Sequence, residues 1–333
     1  MNPKVYSKKK KMSLYQSSYS LILLLLFSAC SKPEYKIENP DAYAKVFMQL
    51  ATNGTVNQSL PIKDEWISTS FGVGYGGVQL LDNNVEVDFL INQKMVDEYN
   101  QQNNSNYELA PSESYRVVEK SVVIPAGKTG SNFNSLEINP IKLGGTKNYI
   151  IPVSINNVTP SIAISEELHT TYFIVNGFYE ENPFTPIAIN DWEIDDFSSD
   201  DYDGIGGRAP YCIDGDVNTS WLSTYRRVDG WRPGPPHHVT VNMNNKHLLH
   251  GLTLYGRPGT NHAYLFPKNV QIETSVDGET WTTAGIYTIA PTTEAPSATM
   301  YFEQSVECTY FKVTVLSSTN GGETTAIAEL VAF

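Results

Sequence analysis

Cysteine is scarce in this chain, with three in 333 residues. That is far too few for the disulfide-dense scaffold of a small secreted domain. Positive charge is also short, at 23 Lys and Arg against 36 Asp and Glu. Five of those cations (Lys4, Lys8, Lys9, Lys10, Lys11) precede Cys30 in a stretch without a single acid. The chain beyond it therefore carries 18 basic residues against 36 acidic ones, a net of −18. A surface that acidic repels phosphate backbones and anionic lipid, so nucleic acid is excluded as a partner. Long apolar runs are missing too: Leu21 to Phe27 is far shorter than the ~20 residues needed to cross a bilayer as a helix. There is no Gly-x-Ser-x-Gly elbow, no His-Glu-x-x-His and no phosphate loop. Asp195, Asp196, Asp200 and Asp201 could be paired for glycoside cleavage, but carboxylates are common in an acidic stretch. The expectation is a protein that is not an enzyme.

The opening residues read as an address. Lys8 to Lys11 form a positive region, Leu21 to Phe27 an apolar core, and Phe27-Ser28-Ala29-Cys30 supplies small residues before a cysteine. This ending resembles the lipobox of bacterial lipoproteins, which implies a signal peptide over 1–29 and lipidation at Cys30. Residues 30–40 then make a polar tether, and Ser31 is compatible with export to an outer membrane. The expected location is an outer membrane lipoprotein at the cell surface. In that oxidising compartment Cys212 and Cys308 could pair, but their spacing decides nothing about proximity.

From Tyr43 onward the chain alternates in short runs. Val85-Glu86-Val87-Asp88-Phe89 is the pattern of a half-buried strand. Tyr115 to Ile124 is rich in β-branched residues and ends at the turn Pro125-Ala126-Gly127. Tyr149 to Ile155 and Tyr172 to Val175 are further strands, and the one helix-like stretch is Gln93 to Tyr99. The motifs Met95-Val96-Asp97-Glu98-Tyr99-Asn100, Tyr107-Glu108-Leu109-Ala110-Pro111, Val123-Ile124-Pro125-Ala126-Gly127 and Tyr149-Ile150-Ile151-Pro152-Val153 follow in order. Together they resemble the domain catalogued as domain of unknown function 1735, common at the front of Bacteroidetes surface lipoproteins that handle glycans. The resemblance implies a non-catalytic immunoglobulin-like sandwich over 41–179. A Pro-containing linker over 180–189, with Pro183 and Pro186, would stiffen the connection as a spacer.

The second half, 190–333, carries Asp191-Trp192-Glu193-Ile194, Tyr211-Cys212-Ile213-Asp214-Gly215-Asp216 and Thr219-Ser220-Trp221. Leu254-Tyr255-Gly256-Arg257, Ser275-Val276-Asp277-Gly278, Tyr310-Phe311-Lys312-Val313 and Ala328-Glu329-Leu330 complete the series. It resembles a coagulation-factor 5/8 type C domain, the discoidin fold that includes the family 32 carbohydrate-binding modules. The fold class expected is all-β, two antiparallel β-sandwich domains: immunoglobulin-like, then a discoidin or galactose-binding-like jelly roll. Trp192, Trp221 and Trp281 lie in framework motifs and are expected in the core.

Asp214-Gly215-Asp216 followed by Thr219 clusters oxygens in a tight turn. By resemblance, a structural Ca2+ would take Tyr211, Asp214, Asp216 and Thr219, closed by Glu329 from the C-terminal strand. The plain alternative is an Asx-turn whose oxygens bond only nearby amides. The run Asp200-Asp201-Tyr202-Asp203-Gly204 is expected to be a solvated loop. Sugar recognition needs an aromatic face and planar donors. Two loops offer both: Tyr225 or Trp231 as platform, with Arg257, Asn261 and His262 bonding hydroxyls. Arg226 and Arg227 would favour an acidic sugar or sulfate. Galactose-binding relatives read Trp-His-Thr-x-Trp here, whereas this chain has Trp221-Leu222-Ser223-Thr224-Tyr225, which separates it from that specificity.

These readings converge on a lipid-anchored, non-catalytic cell-surface glycan-binding protein. Its partners would be a carbohydrate, the outer membrane through its lipid, and a TonB-dependent transporter complex of a glycan-uptake system. The alternative is an adhesin or protein-binding lipoprotein that uses the same loops on a protein.

Overall fold

The computed structural model describes residues 37–201, 207–259, 265–289 and 296–333. The chain is all-β, and among the described residues its α-helix is Gln93–Asn103. Lys45–Gly76 together with Leu80–Phe333 cluster as one compact unit.

The first half builds a six-stranded sheet around Tyr149–Thr159, which pairs antiparallel with Thr170–Phe178 on one side and Val85–Leu90 on the other. A three-stranded sheet of Ile67–Phe71, Asn134–Ile138 and Tyr115–Val117 supplies the facing layer. The ring of Phe71, from that layer, meets Phe89 at 5.1 Å and Phe173 at 6.4 Å between ring centroids, both on strands of the larger sheet. Val85 and Val87 are fully buried while Glu86 between them is exposed, as the alternation requires.

Two elements differ from the sequence expectation. The helix runs on to Asn103 and stops where Asn104 turns left-handed at φ 51°, a conformation asparagine tolerates. The β-branched run from Tyr115 to Ile124 is two strands. Tyr115–Val117 pairs with Asn134–Ile138, whereas Ser121–Ile124 pairs with Val85–Asp88 in the other sheet. The buried Asn134 side chain holds the crossing, accepting from Glu119 N at 3.0 Å and donating to Glu119 O at 2.7 Å.

The second half is a sheet with two long strands at its centre, His237–Tyr255 and Ser297–Ser318, flanked by Glu193–Phe197, Pro267–Ser275 and Thr282–Thr288. The paired long strands shift register between Asn242 and His247 and again between Leu249 and Gly251. Such bulges bend a sheet around its core. Gly251 is required at the second, because a Cβ there would collide with Met300 O and the Phe333 ring. Glu329–Ala332 returns along Leu252–Tyr255, which fixes Glu329 opposite Tyr255.

Trp221 is completely buried; Trp192 packs edge-on to Phe311 at the core margin, and Trp281 lies half-buried under Lys312, 4.3 Å from the ring. Cys212 and Cys308 are both buried free thiols within one core cluster. Burial raises both above the usual thiol range, Cys308 to about 12. The Pro-containing connection is held against the second sandwich. Phe184 stacks on His250 at 4.0 Å and lies parallel to Phe333 at 5.8 Å, and Ile187 N donates to Ala332 O at 2.9 Å. Its prolines thus belong to a segment that its own ring also anchors.

Candidate functional site

The turn after the short helical segment Ala209–Cys212 gathers oxygens around one hydroxyl. Thr219 Oγ1 lies 2.8 Å from Asp214 Oδ2, 3.0 Å from Asp216 O and 3.3 Å from Tyr211 O. A hydroxyl carries a single proton, so it can satisfy one of those three acceptors. Asp214 Oδ1 accepts from Asp216 N at 2.9 Å, which is the Asx-turn geometry. Glu329 arrives from the last strand and accepts from Gly215 N at 3.0 Å through Oε2. Its Oε1 is buried with no hydrogen-bond partner, and the residue is 4% exposed. Burial pushes the Glu329 carboxyl up to about 7, and the Asp214 and Asp216 carboxylates push the same way against the Gly215 amide. Among the described residues no three His, Cys, Asp or Glu side chains form a metal-ligand group. The oxygens here are two carboxylates, carbonyls and a hydroxyl, the donor types a hard cation takes. Excess acceptors and an orphaned buried carboxylate oxygen therefore make a donor set of the type a hard cation takes. The five residues nominated from sequence come together.

The loop that follows is braced by acids. Asp201 is 6% exposed, and its Oδ2 accepts from Tyr225 N at 3.0 Å and Arg226 N at 2.9 Å. Its Oδ1 lies 3.3 Å from Arg226 Nε. Asp200 pairs with Arg208 at 3.4 Å. The expectation of a solvated loop is thus corrected at Asp200 and Asp201, where the carboxylates cap amides and hold arginines; Tyr202 to Gly204 lie outside the described residues. Buried Ser223 is locked to Thr325 through Thr325 N to Ser223 Oγ at 2.9 Å.

Tyr225 is 37% exposed, with the Arg226 guanidinium 5.4 Å from its ring centroid. Val228 and Trp231 exchange backbone hydrogen bonds of 2.8 and 3.0 Å across Asp229 and Gly230, whose φ values are 52° and 80°. Two successive positive φ values make a tight two-residue hairpin, and Gly is the residue suited to the second. Val228 and Trp231 are each 70% exposed at its tip. Arg227 donates to Gly230 O at 3.1 Å and to Glu323 Oε2 at 2.9 Å. Arg232 donates to the same Oε2 through Nε at 2.8 Å and to Tyr225 O through Nη1 at 2.9 Å. Buried His237 donates from Nε2 to Glu323 O at 2.7 Å and fixes the backbone that carries the carboxylate.

Leu222 is buried against Leu265 and Ala326, so this position offers the ligand loop no polar group. Arg257 is half-buried and itself engaged with a neighbour. Asn261, His262 and Cys30 lie outside the described residues. Arg232 and Glu323 were not nominated from sequence, and Asp201 was not assigned to this loop. Arg232 had a signal in its place beside Trp231, whereas Glu323 is 91 residues away in the chain and only folding brings it there.

Two family models match separate parts of the chain. One, described as a "-like, N-terminal domain", matches residues 38–162, and the F5/8 type C domain matches residues 195–330. A sialidase of Micromonospora viridifaciens is 26% identical over 164 residues, covering 48% of this chain and 23% of the sialidase. The chain thus spans less than a quarter of that relative's length. The C-terminal domain of a chitobiase from Bacteroides fragilis is 25% identical with a TM-score of 0.39, covering 45% of this chain and 97% of that domain. A CBM32 domain from Clostridium perfringens, solved with GalNAc-β-1,3-galactose, is 21% identical with a TM-score of 0.39, covering 45% and 99%.

Proposed function

We propose that the second sandwich is a non-catalytic glycan-binding module. The observation that carries this reading is the hairpin tip: an indole 70% exposed, on a loop held by paired charges, within a segment that matches the F5/8 type C model. Exposing an indole opposes the hydrophobic effect, and fixing it removes the freedom to fold away. A rigid aromatic face suits the C–H face of a sugar ring. Tyr225 and Arg257 are proposed as further ligand contacts, with Asn261 and His262 proposed from sequence.

The oxygens of Tyr211, Asp214, Asp216, Thr219 and Glu329 would hold Ca2+, which ties the turn to the last strand and so sets where the ligand loop begins. In the whole protein, Cys30 would carry lipid, and the domain resembling domain of unknown function 1735 would stand between membrane and module. The binding face would then meet glycan at the cell surface, beside a TonB-dependent transporter, and many anchored copies would compensate for weak single sites.

Retention of the full chain on a panel of glycans tests this. Binding to one glycan class, displaced by free sugar and lost in Trp231→Ala with the melting temperature unchanged, is the expected result. A folded protein that binds no glycan but retains a protein ligand against free sugar would replace this reading with the adhesin one.

A further inference from the structure

The sequence places Arg226, Arg227 and Arg232 around the aromatic pair, which by itself would suit an acidic ligand. The structure commits those guanidinium groups elsewhere. Arg232 uses Nε and Nη2 on Glu323 Oε2, at 2.8 and 2.6 Å, and Nη1 on Tyr225 O. Arg227 uses one terminal nitrogen on Gly230 O and the other on Glu323. Arg226 faces Asp201, whose carboxylate is almost fully buried. A guanidinium recognises a carboxylate or sulfate through two parallel N–H groups. At Arg232 both outward edges of the fork are already occupied by the protein.

Charge gives the same result. Arg226, Arg227 and Arg232 stand against Asp201, Asp229 and Glu323, so the segment and its braces sum to zero. An incoming anion would meet two carboxylates at the base of the hairpin and a third at its tip, and would compete with an existing ion pair at each arginine it engaged. Glu323 stays ionised to act this way, because Arg232 and then Arg227 hold its carboxyl below the usual range. An uncharged polyol has no such obstacle, since it needs only the exposed indole and the edges of nearby polar groups.

We infer that the loop takes an uncharged glycan, and that Glu323 and Asp201 set this selectivity by withholding three arginines from anionic ligands; the inference rests on the glycan-binding reading above. Glu323 touches no ligand in this account. It is a positioning residue that fixes both the hairpin and the sign of its field.

The test is affinity electrophoresis of the full chain through gels containing neutral polysaccharide (galactomannan, arabinogalactan, α-mannan) or anionic polysaccharide (polygalacturonate, chondroitin sulfate). Each gel is run at low and at physiological salt. Wild type is expected to be retarded by a neutral polymer, with little change on adding salt, and Trp231→Ala to lose that retardation. Glu323→Gln, at a half-exposed side chain, should keep the fold and release two arginines. Its retention on an anionic polymer should rise by about threefold to fivefold, the size of one exposed ion pair, and vanish with salt. Asp201→Asn poses the same question for Arg226, with a melting curve beside each variant as the check on folding. Salt-sensitive binding of wild type to anionic polymers alone would overturn the inference and leave glycan binding standing. A folded Glu323→Gln with no anionic gain would overturn the role of Glu323. No retention of wild type by any polymer would overturn the glycan reading itself, and this inference with it.

Discussion

Glu329 is the residue whose local environment asks most for something the protein chain does not supply. One of its oxygens is bonded to Gly215 N and the other is buried with no partner. A buried carboxylate without compensation is costly, and either protonation or a bound cation relieves it. If calcium sits there, adding it at about a hundred times its dissociation constant should stabilise the fold by about 2.7 kcal/mol. Glu329→Gln should erase most of that response. Thermal melts of both proteins in calcium and in chelator check it, and a wild type indifferent to calcium would leave the turn as a self-contained Asx-turn. At this scale the sequence was legible wherever bonding is local. Asp214, Asp216 and Thr219 lie within six residues of one another, so their cluster could be read before folding. Glu329 came from family resemblance, and Glu323 came from neither. Asp201 was misread because an acidic run resembles solvated surface until the amides of Tyr225 and Arg226 are brought onto it.

Among the elements, the Val228–Trp231 hairpin carries most of the functional argument. It is short, and its shape depends on one glycine in the left-handed region at φ 80°. Replacing Gly230 with valine puts a β-branched residue where even ordinary L-residues lose about 1–2 kcal/mol. Gly230→Val should therefore lower stability by about that amount and reduce glycan retention as far as Trp231→Ala does. Gly230→Asn, which tolerates the same backbone, should preserve both. Equal retention by the valine variant would show that the tip's conformation does not matter to binding. The same scale shows what alternation can and cannot reveal. Val85–Leu90 follows its apolar–acidic pattern into the sheet, because one face is buried and the other wet. The stretch from Tyr115 to Ile124 has β-branched residues throughout, so nothing in its composition marks the crossing between sheets. The signal is the Asn134 side chain on another strand, which a local window does not contain.

For the whole molecule, the question is whether the two sandwiches behave as beads on a string. A proline-bearing linker between two domains ordinarily permits relative motion. Here Phe184 stacks on His250 and lies parallel to Phe333, and Tyr179 meets Tyr301 at 4.7 Å. Thr146 also donates to Phe302 O at 3.4 Å, so the first sandwich itself touches the second. Such contacts couple unfolding: losing one sandwich exposes aromatic surface on the other. Calorimetry of the full chain should show one transition. Phe184→Ala, which removes a half-buried ring worth about 2 kcal/mol, should split it into two while each sandwich keeps its own core. Two transitions already present in wild type would mean that the aromatic cluster is too small to couple them. The distinction bears on function, because a coupled pair presents the Trp231 loop in one orientation relative to the first sandwich. An anchored protein of that kind would search a glycan surface by swinging on its tether, not by bending at its middle.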